Sequence, residues 1–134
     1  MIPKFRAWDK DHKYMEYTDK NLVVCFSDEG VEVTDHTTFS HSCTSMQNYE
    51  IMQSTGLKDM KDTEIYEGDI IEFKYPYDKR IKTKGVIVRN DNKACFGISM
   101  KETTEQYELY RITAENYLTV IGNVLEHKNL LSEE

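Results

Sequence analysis

One glycine, Gly68, constrains this chain more than any other residue. It lies in the segment Glu64–Phe73, where an approach segment, a turn and an apolar strand follow one another. Glycine has no Cβ, so Gly68 can adopt a positive φ, and Asp69 can hydrogen-bond the backbone within the turn. The strand after the turn is rich in bulky and β-branched residues that suit a packed sheet. The segment therefore predicts a turn that opens a buried strand.

Upstream of this turn, short apolar runs are separated by polar turn residues, a pattern that predicts β-strands. Residues 2–17 are predicted to form a hairpin, and residues 22–26 are expected to form a buried strand that pairs with residues 31–34. Residues 35–47 are polar with few apolar anchors, and we expect a loop there.

Downstream of the turn, the same pattern predicts strands at residues 85–89, 94–100, 107–112 and 118–124. Gly122 lies inside the last of these and is expected to mark a bulge or a barrel corner. A short helical turn is expected at residues 126–131. A Gly-Asp turn followed by an apolar strand is typical of the first strand of a small SH3-like barrel. We therefore predict a mainly β, α+β protein, with an SH3-like β-barrel in 61–134 and an N-terminal β-rich subdomain in 1–60, packed as one compact unit.

Composition favours an intracellular protein. The three cysteines have no paired CxxC spacing, which is typical of reduced thiols in a cytoplasm. No apolar run is long enough to span a membrane, and no signal-peptide core is present at the N-terminus. The expected location is the cytoplasm of a bacterial host cell, with no membrane partner.

The segment Lys74–Lys84 is the most suggestive candidate for ligand contact. It has five basic residues and one acidic residue, whereas the chain as a whole has a net charge of −7. Aromatic rings can stack on bases or pack on proline-rich peptides, while basic groups pair with phosphates or acidic groups. The alternative, which we favour, is a solvated hairpin loop. The candidate binding residues are Lys74, Tyr75, Tyr77, Lys79, Arg80 and Lys82.

Other groups of reactive side chains have simpler structural explanations. His36, His41 and Cys43 could bind a metal, but their spacing matches no closed zinc pattern, and we expect neither a metal nor a cofactor. Four carboxylates surround the central turn without a nearby histidine or nucleophile, and turn formation explains them more simply than acid–base catalysis does. We expect no enzymatic activity. The four carboxylates are Glu64, Glu67, Asp69 and Glu72.

Three motifs resemble the YopX family, small proteins of bacteriophages and prophages. Lys4–Asp9 is similar to the family's opening KFRAWD, and Met52–Asp59 is similar to MQYTGLKD. Ile121–Val124 resembles the late IGNI motif. Order and spacing match along nearly the whole chain. Met60–Thr63 departs from the family's common Lys-Asn-Gly-Lys, and this weakens the case for a type I′ turn there.

The resemblance implies a phage setting and a barrel fold, but no established activity and no functional residues. Our leading hypothesis is an accessory protein that binds a host or phage protein, with a homo-oligomer as a further possibility. The second hypothesis is a nucleic-acid-binding barrel that uses the basic loop 74–84. We favour the protein partner, because an acidic protein is repelled by phosphate backbones at long range.

Overall fold

The computed structural model of the chain describes residues 3–18, 20, 22–36, 43–45, 48–74, 82–90, 93–100, 106–127 and 129–132. Within these residues the protein is mainly β with two short helices, which confirms the predicted class. The chain divides into two units, Met1–Ser54 and Thr55–Glu134.

The first unit contains two sheets. Its strands are β1 Phe5–Asp9, β2 Tyr14–Tyr17, β3 Leu22–Ser27, β4 Gly30–His36, β5 Cys43–Ser45 and the start of β6, Tyr49–Lys58. β1 pairs antiparallel with β2 and with the first residues of β6, and β3, β4 and β5 form a separate sheet. The N-terminal hairpin and the β3–β4 hairpin confirm the sequence predictions.

A buried carboxylate fixes the turn of the N-terminal hairpin. Asp9 Oδ1 accepts the backbone N–H groups of Asp11 and His12 at 3.0 and 3.1 Å, and Asp9 Oδ2 lies 2.9 Å from His12 Nδ1. Burial on its own raises the pKa of Asp9, but these hydrogen bonds and the His12 charge outweigh it and hold the pKa below its ordinary value. Asp9 therefore has a structural role at the end of the KFRAWD-like segment.

The apolar run in β3 is less buried than the sequence suggests. Leu22 is buried, but Phe26 is 61% exposed and Val23 is also exposed, so the expectation of a buried strand is wrong. Strand alternation directs Val23 away from the core. Phe26 is on the same face as Leu22 and Val24 but lies at the exposed end of the strand, where its ring contacts that of Phe5 at a centroid distance of 5.4 Å. That core consists of Ala7, Leu22 and Val33, with Val24, Tyr49 and Ile51 packed against them.

The loop predicted over residues 35–47 is wrong in part. β4 continues to His36, and β5 pairs with it so that the backbone of Cys43 lies opposite that of His36. Backbone pairing forms this short strand without an apolar alternation that could be recognised in the sequence.

The second unit consists of the end of β6 and a five-stranded antiparallel sheet that curls around a core. The order in this sheet is β11-β10-β9-β8-β12. The elements are β7 Glu64–Tyr66, β8 Asp69–Lys74, β9 Lys82–Asn90, β10 Cys95–Met100, β11 Gln106–Glu108, α1 Arg111–Tyr117, β12 Leu118–Asn123 and α2 Asn129–Ser132.

The central glycine has the role that the sequence predicts. Gly68 has a φ of +88°, a conformation that a residue with a Cβ adopts only with strain. Its N–H donates to the Ile87 carbonyl at 2.8 Å, and its carbonyl accepts the Val124 N–H at 2.9 Å. Asp69 Oδ2 accepts the Tyr66 N–H at 2.7 Å. The turn therefore joins two strands that are far apart in sequence.

Another buried carboxylate, that of Asp59, covers one edge of the sheet. Asp59 Oδ1 accepts the N–H groups of Lys61 and Thr63 at 2.8 and 2.9 Å, and Asp59 Oδ2 accepts the Val120 N–H of β12 at 2.8 Å. The Met60 N–H donates to the Leu118 carbonyl at 3.0 Å. The turn after β6 thus occupies the outer side of β12, which explains the aspartate of the GLKD-like motif.

The strand predicted at residues 107–112 is wrong beyond Glu108. The chain turns at Leu109 and Tyr110 and forms α1, whose only buried residue is Ala114. Ala114 packs into the core with residues from five strands. The buried members of this core are Ile65, Ile71, Ile87, Ile98, Ala114 and Leu118, with Leu57, Phe73, Met100, Leu109 and Val120 around them.

The IGNV segment closes the second unit. The register of β12 against β8 shifts between Val120 and Gly122, which confirms the predicted bulge. A Cβ on Gly122 would lie 2.8 Å from His127 Nδ1, so glycine permits the following turn to pack closely. Asn123 Oδ1 accepts the N–H groups of Leu125 and Glu126 and caps that turn. The helical turn predicted at residues 126–131 corresponds to α2.

In the part of the chain that the structure describes, no helix is both long enough and apolar enough to cross a membrane.

Candidate binding pocket

A pocket of about 740 Å³ lies on the face of the five-stranded sheet that carries the core, here called the inner face. It is formed entirely within the second unit. Its apolar and aromatic lining consists of Phe73, Ile98, Met100, Tyr107 and Tyr110. Its polar lining consists of Thr83, Lys93, Gln106, Glu108 and Thr113.

Strand alternation explains why residues far apart in sequence meet at this pocket. Phe73 of β8 and Thr83 of β9 are cross-strand partners, and so are Ile98 of β10 and Tyr107 of β11. Partners in an antiparallel pair point to the same face, and that face also carries the buried Ile87. The pocket is therefore a continuation of the core towards the open part of the sheet.

The floor of the pocket depends on a glycine. A Cβ on Gly85 would lie 2.8 Å from Ile98 Cγ2, 3.2 Å from the Ser99 carbonyl oxygen and 3.3 Å from Met100 Sδ. Real Cβ atoms essentially never show the first of these distances. Gly85 therefore leaves room for Ile98 and Met100 to lie against the sheet and keep the space above them open.

Three polar side chains at the rim form a charge-compensated group. Lys93 Nζ donates to Glu108 Oε1 at 3.1 Å, and the Tyr110 hydroxyl donates to Glu108 Oε2. The hydrogen bond from Tyr110, followed by the hydrogen bond and charge of Lys93, holds the pKa of Glu108 below its ordinary value. The same hydrogen bond to Glu108 raises the pKa of Tyr110 above its ordinary value.

Aromatic rings provide much of the exposed apolar surface at the pocket. Tyr107 and Tyr110 are 51% and 59% exposed, which is high for large side chains at a core boundary. Phe73 stacks on Tyr117 of α1, with ring centroids 5.7 Å apart and an interplanar angle of 26°. This stacking fixes the orientation of Phe73 at the pocket, whereas the two tyrosines contribute exposed aromatic surface.

Of the six predicted binding residues, the structure describes Lys74 and the backbone of Lys82. Lys74 is exposed and is the cross-strand neighbour of Lys82 at the base of the loop. Strand alternation directs Lys74 to the opposite face from Phe73, away from the pocket. The other candidates, Tyr75, Tyr77, Lys79 and Arg80, lie outside the described residues.

The carboxylates around the central turn have structural partners. Asp69 is 1% exposed and binds the turn backbone, and Glu67 Oε2 lies 3.9 Å from Arg89 Nε. Glu72 lies opposite Lys84 across the β8–β9 ladder. Alternation also separates Asp69 from Glu72, so the structure does not bring these carboxylates together as a pair.

The predicted metal ligands do not form a cluster in the described part of the chain. Among them, no group of three or more His, Cys, Asp or Glu side chains could hold a metal ion. Of the candidate ligands, His36 and Cys43 are backbone neighbours across β4 and β5, and His41 lies outside the described residues.

The pocket residues were missed because they come from four strands and a helix. Two weak signals were present in the sequence: Ile98 and Met100 alternate on one face of a predicted strand, and Tyr107 is an aromatic residue with polar neighbours on both sides. Neither signal indicates which faces meet, since that depends on register across the sheet.

The lining determines which ligands suit the pocket. Its described charged residues, Lys93 and Glu108, neutralise each other, so there is no excess charge to attract a phosphate or a metal ion. An apolar floor with three aromatic rings and a few polar groups favours an uncharged apolar or aromatic group.

Comparison with known proteins finds similar proteins over nearly the whole length of the chain. The family model described as YopX protein matches residues 4–132. The crystal structure of protein EF1440 from Enterococcus faecalis is similar, with a TM-score of 0.68, 26% sequence identity, and coverage of 98% of this chain and 99% of that one.

The crystal structure of yopX from Bacillus subtilis has a TM-score of 0.71 and 17% identity, with coverage of 98% of this chain and 97% of that one. The chain matches none of the curated proteins with which it was compared. The family match spans far more than half of the sequence and includes all three motifs noted above. The chain therefore belongs to the YopX protein family.

Proposed function

We propose that this protein acts by binding and not by catalysis, as an interaction module that holds a segment of a partner protein in the pocket of its second unit. One observation carries the proposal: an apolar floor, Ile98 and Met100, lies below exposed tyrosine rings, and the rim charges compensate each other. Aromatic residues with two rotatable side-chain bonds give a large contact area at a low cost in conformational entropy.

Nucleic acid binding through the basic loop is the alternative. A nucleic acid site needs cations that are free to neutralise phosphates, and Lys93 at the pocket is already paired with Glu108. The lysine at the base of the loop, Lys74, is directed away from the pocket. Lys74 and the pocket therefore lie on opposite faces of the sheet, and ligands of the pocket and of the basic segment can be tested separately.

We further infer that the second unit is an SH3-like barrel. The sheet order supports this, because the last strand in chain order, β12, pairs with the first, β8. The short helix α1 directly precedes β12. The resemblance of the sequence to phage and prophage proteins supports a setting in the cytoplasm of a bacterial host, with a host or phage protein as partner. The cysteine pattern supports the same compartment.

Selection of short random peptides on the immobilised protein tests the proposal. We expect binders with apolar, aromatic or proline residues, and affinity that changes little with salt. Thr113→Trp fills the pocket from α1 and should weaken these peptides by more than about tenfold, because each lost apolar side chain is worth about 1.5–3 kcal/mol.

Glu115→Trp is the matched control, since Glu115 lies on the same helix, is exposed and is not part of the pocket lining. It should leave peptide affinity unchanged. Equal binding to both variants, or selection of no peptide at all, would contradict the proposal. Tight salt-sensitive binding of a single-stranded oligonucleotide, lost on charge reversal at Lys79, Arg80 and Lys82, would favour the alternative instead.

A further inference from the structure

The outer edge of β11 determines how a ligand at the pocket can be held. β11 is the last strand in its sheet, and among the described residues no strand pairs with its far side. The Leu109 N–H donates to the Phe96 carbonyl at 3.0 Å. Hydrogen-bonded and non-bonded pairs alternate in an antiparallel ladder, so Gln106 and Glu108 direct their backbone groups outward, away from β10.

These outward groups form a regular series of donors and acceptors. Gln106 and Glu108 each present one N–H and one C=O, and the two residues are about 7 Å apart along the strand. An extended polypeptide repeats its own N–H and C=O groups at the same spacing. A nucleic acid backbone has acceptors but no matching donors, so the edge is complementary to a protein segment.

We infer that an extended segment of a partner protein adds to the sheet as a further strand beside β11. This inference rests on the proposed function and specifies how the partner is held. Strand register then places one side chain of the added segment beside Tyr107, on the inner face where the pocket lies. Main-chain hydrogen bonds supply affinity in such a complex, and the pocket selects the side chain.

Amide hydrogen exchange tests this inference without a substitution, and the probe is the tightest peptide from the selection above. In the free protein the Gln106 and Glu108 amides should exchange quickly, whereas the Leu109 amide should be protected. Saturation with the peptide should slow exchange at Gln106 and Glu108 by more than about tenfold, because both become donors in a ladder.

A pair of substitutions at one position gives an independent measurement. Gln106→Pro removes an outward N–H, which is tolerated on an edge strand, and should weaken the peptide by about tenfold. Gln106→Ala keeps that N–H and should weaken the peptide by less than about threefold, the effect of a lost exposed side chain. Unchanged protection of the Leu109 amide verifies that β11 remains paired in both variants.

The outcomes separate this inference from the proposed function. Peptide binding that is sensitive to Thr113→Trp but leaves Gln106 and Glu108 unprotected would overturn strand addition and keep the binding pocket. Equal weakening by proline and alanine at Gln106 would also overturn strand addition. Protection in the free protein that increases with its concentration would assign the edge to a second copy of this chain. If no peptide binds, both proposals fail.

Discussion

The two edge strands of the five-stranded sheet, β11 and β12, differ in how their outward backbone groups are hydrogen-bonded. At β12, the outward N–H of Val120 donates to the Asp59 carboxylate. The outward carbonyl of Leu118 accepts the Met60 N–H. At β11, the outward groups of Gln106 and Glu108 have no such cover among the described residues. β11, the edge without cover in the described part of the chain, is also the edge that lines the pocket.

The carboxylate at each edge shows the same difference. Asp59 is buried, and its carboxylate accepts hydrogen bonds from three backbone N–H groups, which is typical of a structural role. Glu108 instead accepts hydrogen bonds from two side chains at the surface, those of Lys93 and Tyr110. Exposed edges invite pairing with other chains, so proteins usually cover them. Among the described residues of this sheet, the cover at β12 leaves β11 as the edge that favours such pairing.

Removing the cover of β12 should have the largest effect. Asp59→Ala takes an acceptor from three N–H groups, including that of Val120 in the sheet, and should lower the free energy of unfolding by about 3 kcal/mol. Urea denaturation measures this loss. Lys61→Ala, in the same turn but exposed, should change it by less than about 0.5 kcal/mol. A similar loss in both variants would mean that the turn, and not the carboxylate, supports the edge.

Local backbone chemistry made part of this fold predictable. Gly68 and Gly122 were identified because a positive φ or a bulge depends on the residue itself and its neighbours. The helix α1 was missed because Tyr107 to Ile112 has strand-forming side chains and the helix lacks a capping side chain and acidic residues in its first turn. Burial of Ala114 stabilises that helix, and such tertiary packing is not encoded in local pattern.

The pocket was not predicted from the sequence. The sequence analysis selected the basic segment after β8, most of which lies outside the described residues, whereas the pocket includes the inner-face pair Phe73 and Thr83. The basic residues of the segment were conspicuous because charge is visible in a sequence. The pocket itself depends on which strand faces meet, and no single segment carries that information.

Filling the pocket floor should have the second largest effect. Gly85→Ala places a Cβ 2.8 Å from Ile98 Cγ2, so Ile98 and Met100 must move, and the free energy of unfolding should fall by about 2 kcal/mol. Peptide affinity should fall as well, because the displaced side chains enter the pocket. Thr83→Ala, on the same face of β9, adds no atoms and should cost less than about 1 kcal/mol. Unchanged affinity in a folded Gly85→Ala protein would place the ligand elsewhere.

Loosening β11 itself should have a smaller effect on stability. A Cβ on Gly97 would lie 3.0 Å from the Tyr107 carbonyl oxygen, so Gly97→Ala should push β11 away from β10 at a cost of about 1 kcal/mol. Exchange of the Leu109 amide should become faster, since it reports the β10–β11 ladder. Ser99→Ala, on the same face of β10, should leave that exchange unchanged. Faster exchange at Val120 instead would mean that the two edges are not independent.

The smallest effect concerns the ionisation of Glu108 in β11 and of Tyr110 beside it. An ordinary tyrosine ionises near pH 10. Because Glu108 raises the pKa of Tyr110, this tyrosine should ionise at a higher pH. The stabilisation from their hydrogen bond is present below about pH 10 and is lost as pH rises through the raised pKa of Tyr110. The pKa of Glu108 sets the acidic limit. An ordinary glutamate titrates near pH 4, and the hydrogen bonds of Glu108 stabilise the protein fully above that pH. This stabilisation is lost as the pH falls through the lowered pKa of Glu108.

Tyrosinate absorbance measures the alkaline limit. The chain has nine tyrosines, so the titration of Tyr110→Phe is subtracted from that of the unsubstituted protein to isolate one of them. Glu108→Gln should return Tyr110 to ionisation near pH 10, because the carboxylate is the main cause of the shift. Glu115→Gln, on the exposed side of α1, should leave Tyr110 unchanged. If Glu108→Gln has no effect on the ionisation of Tyr110, the hydrogen bond between these two side chains does not form in solution.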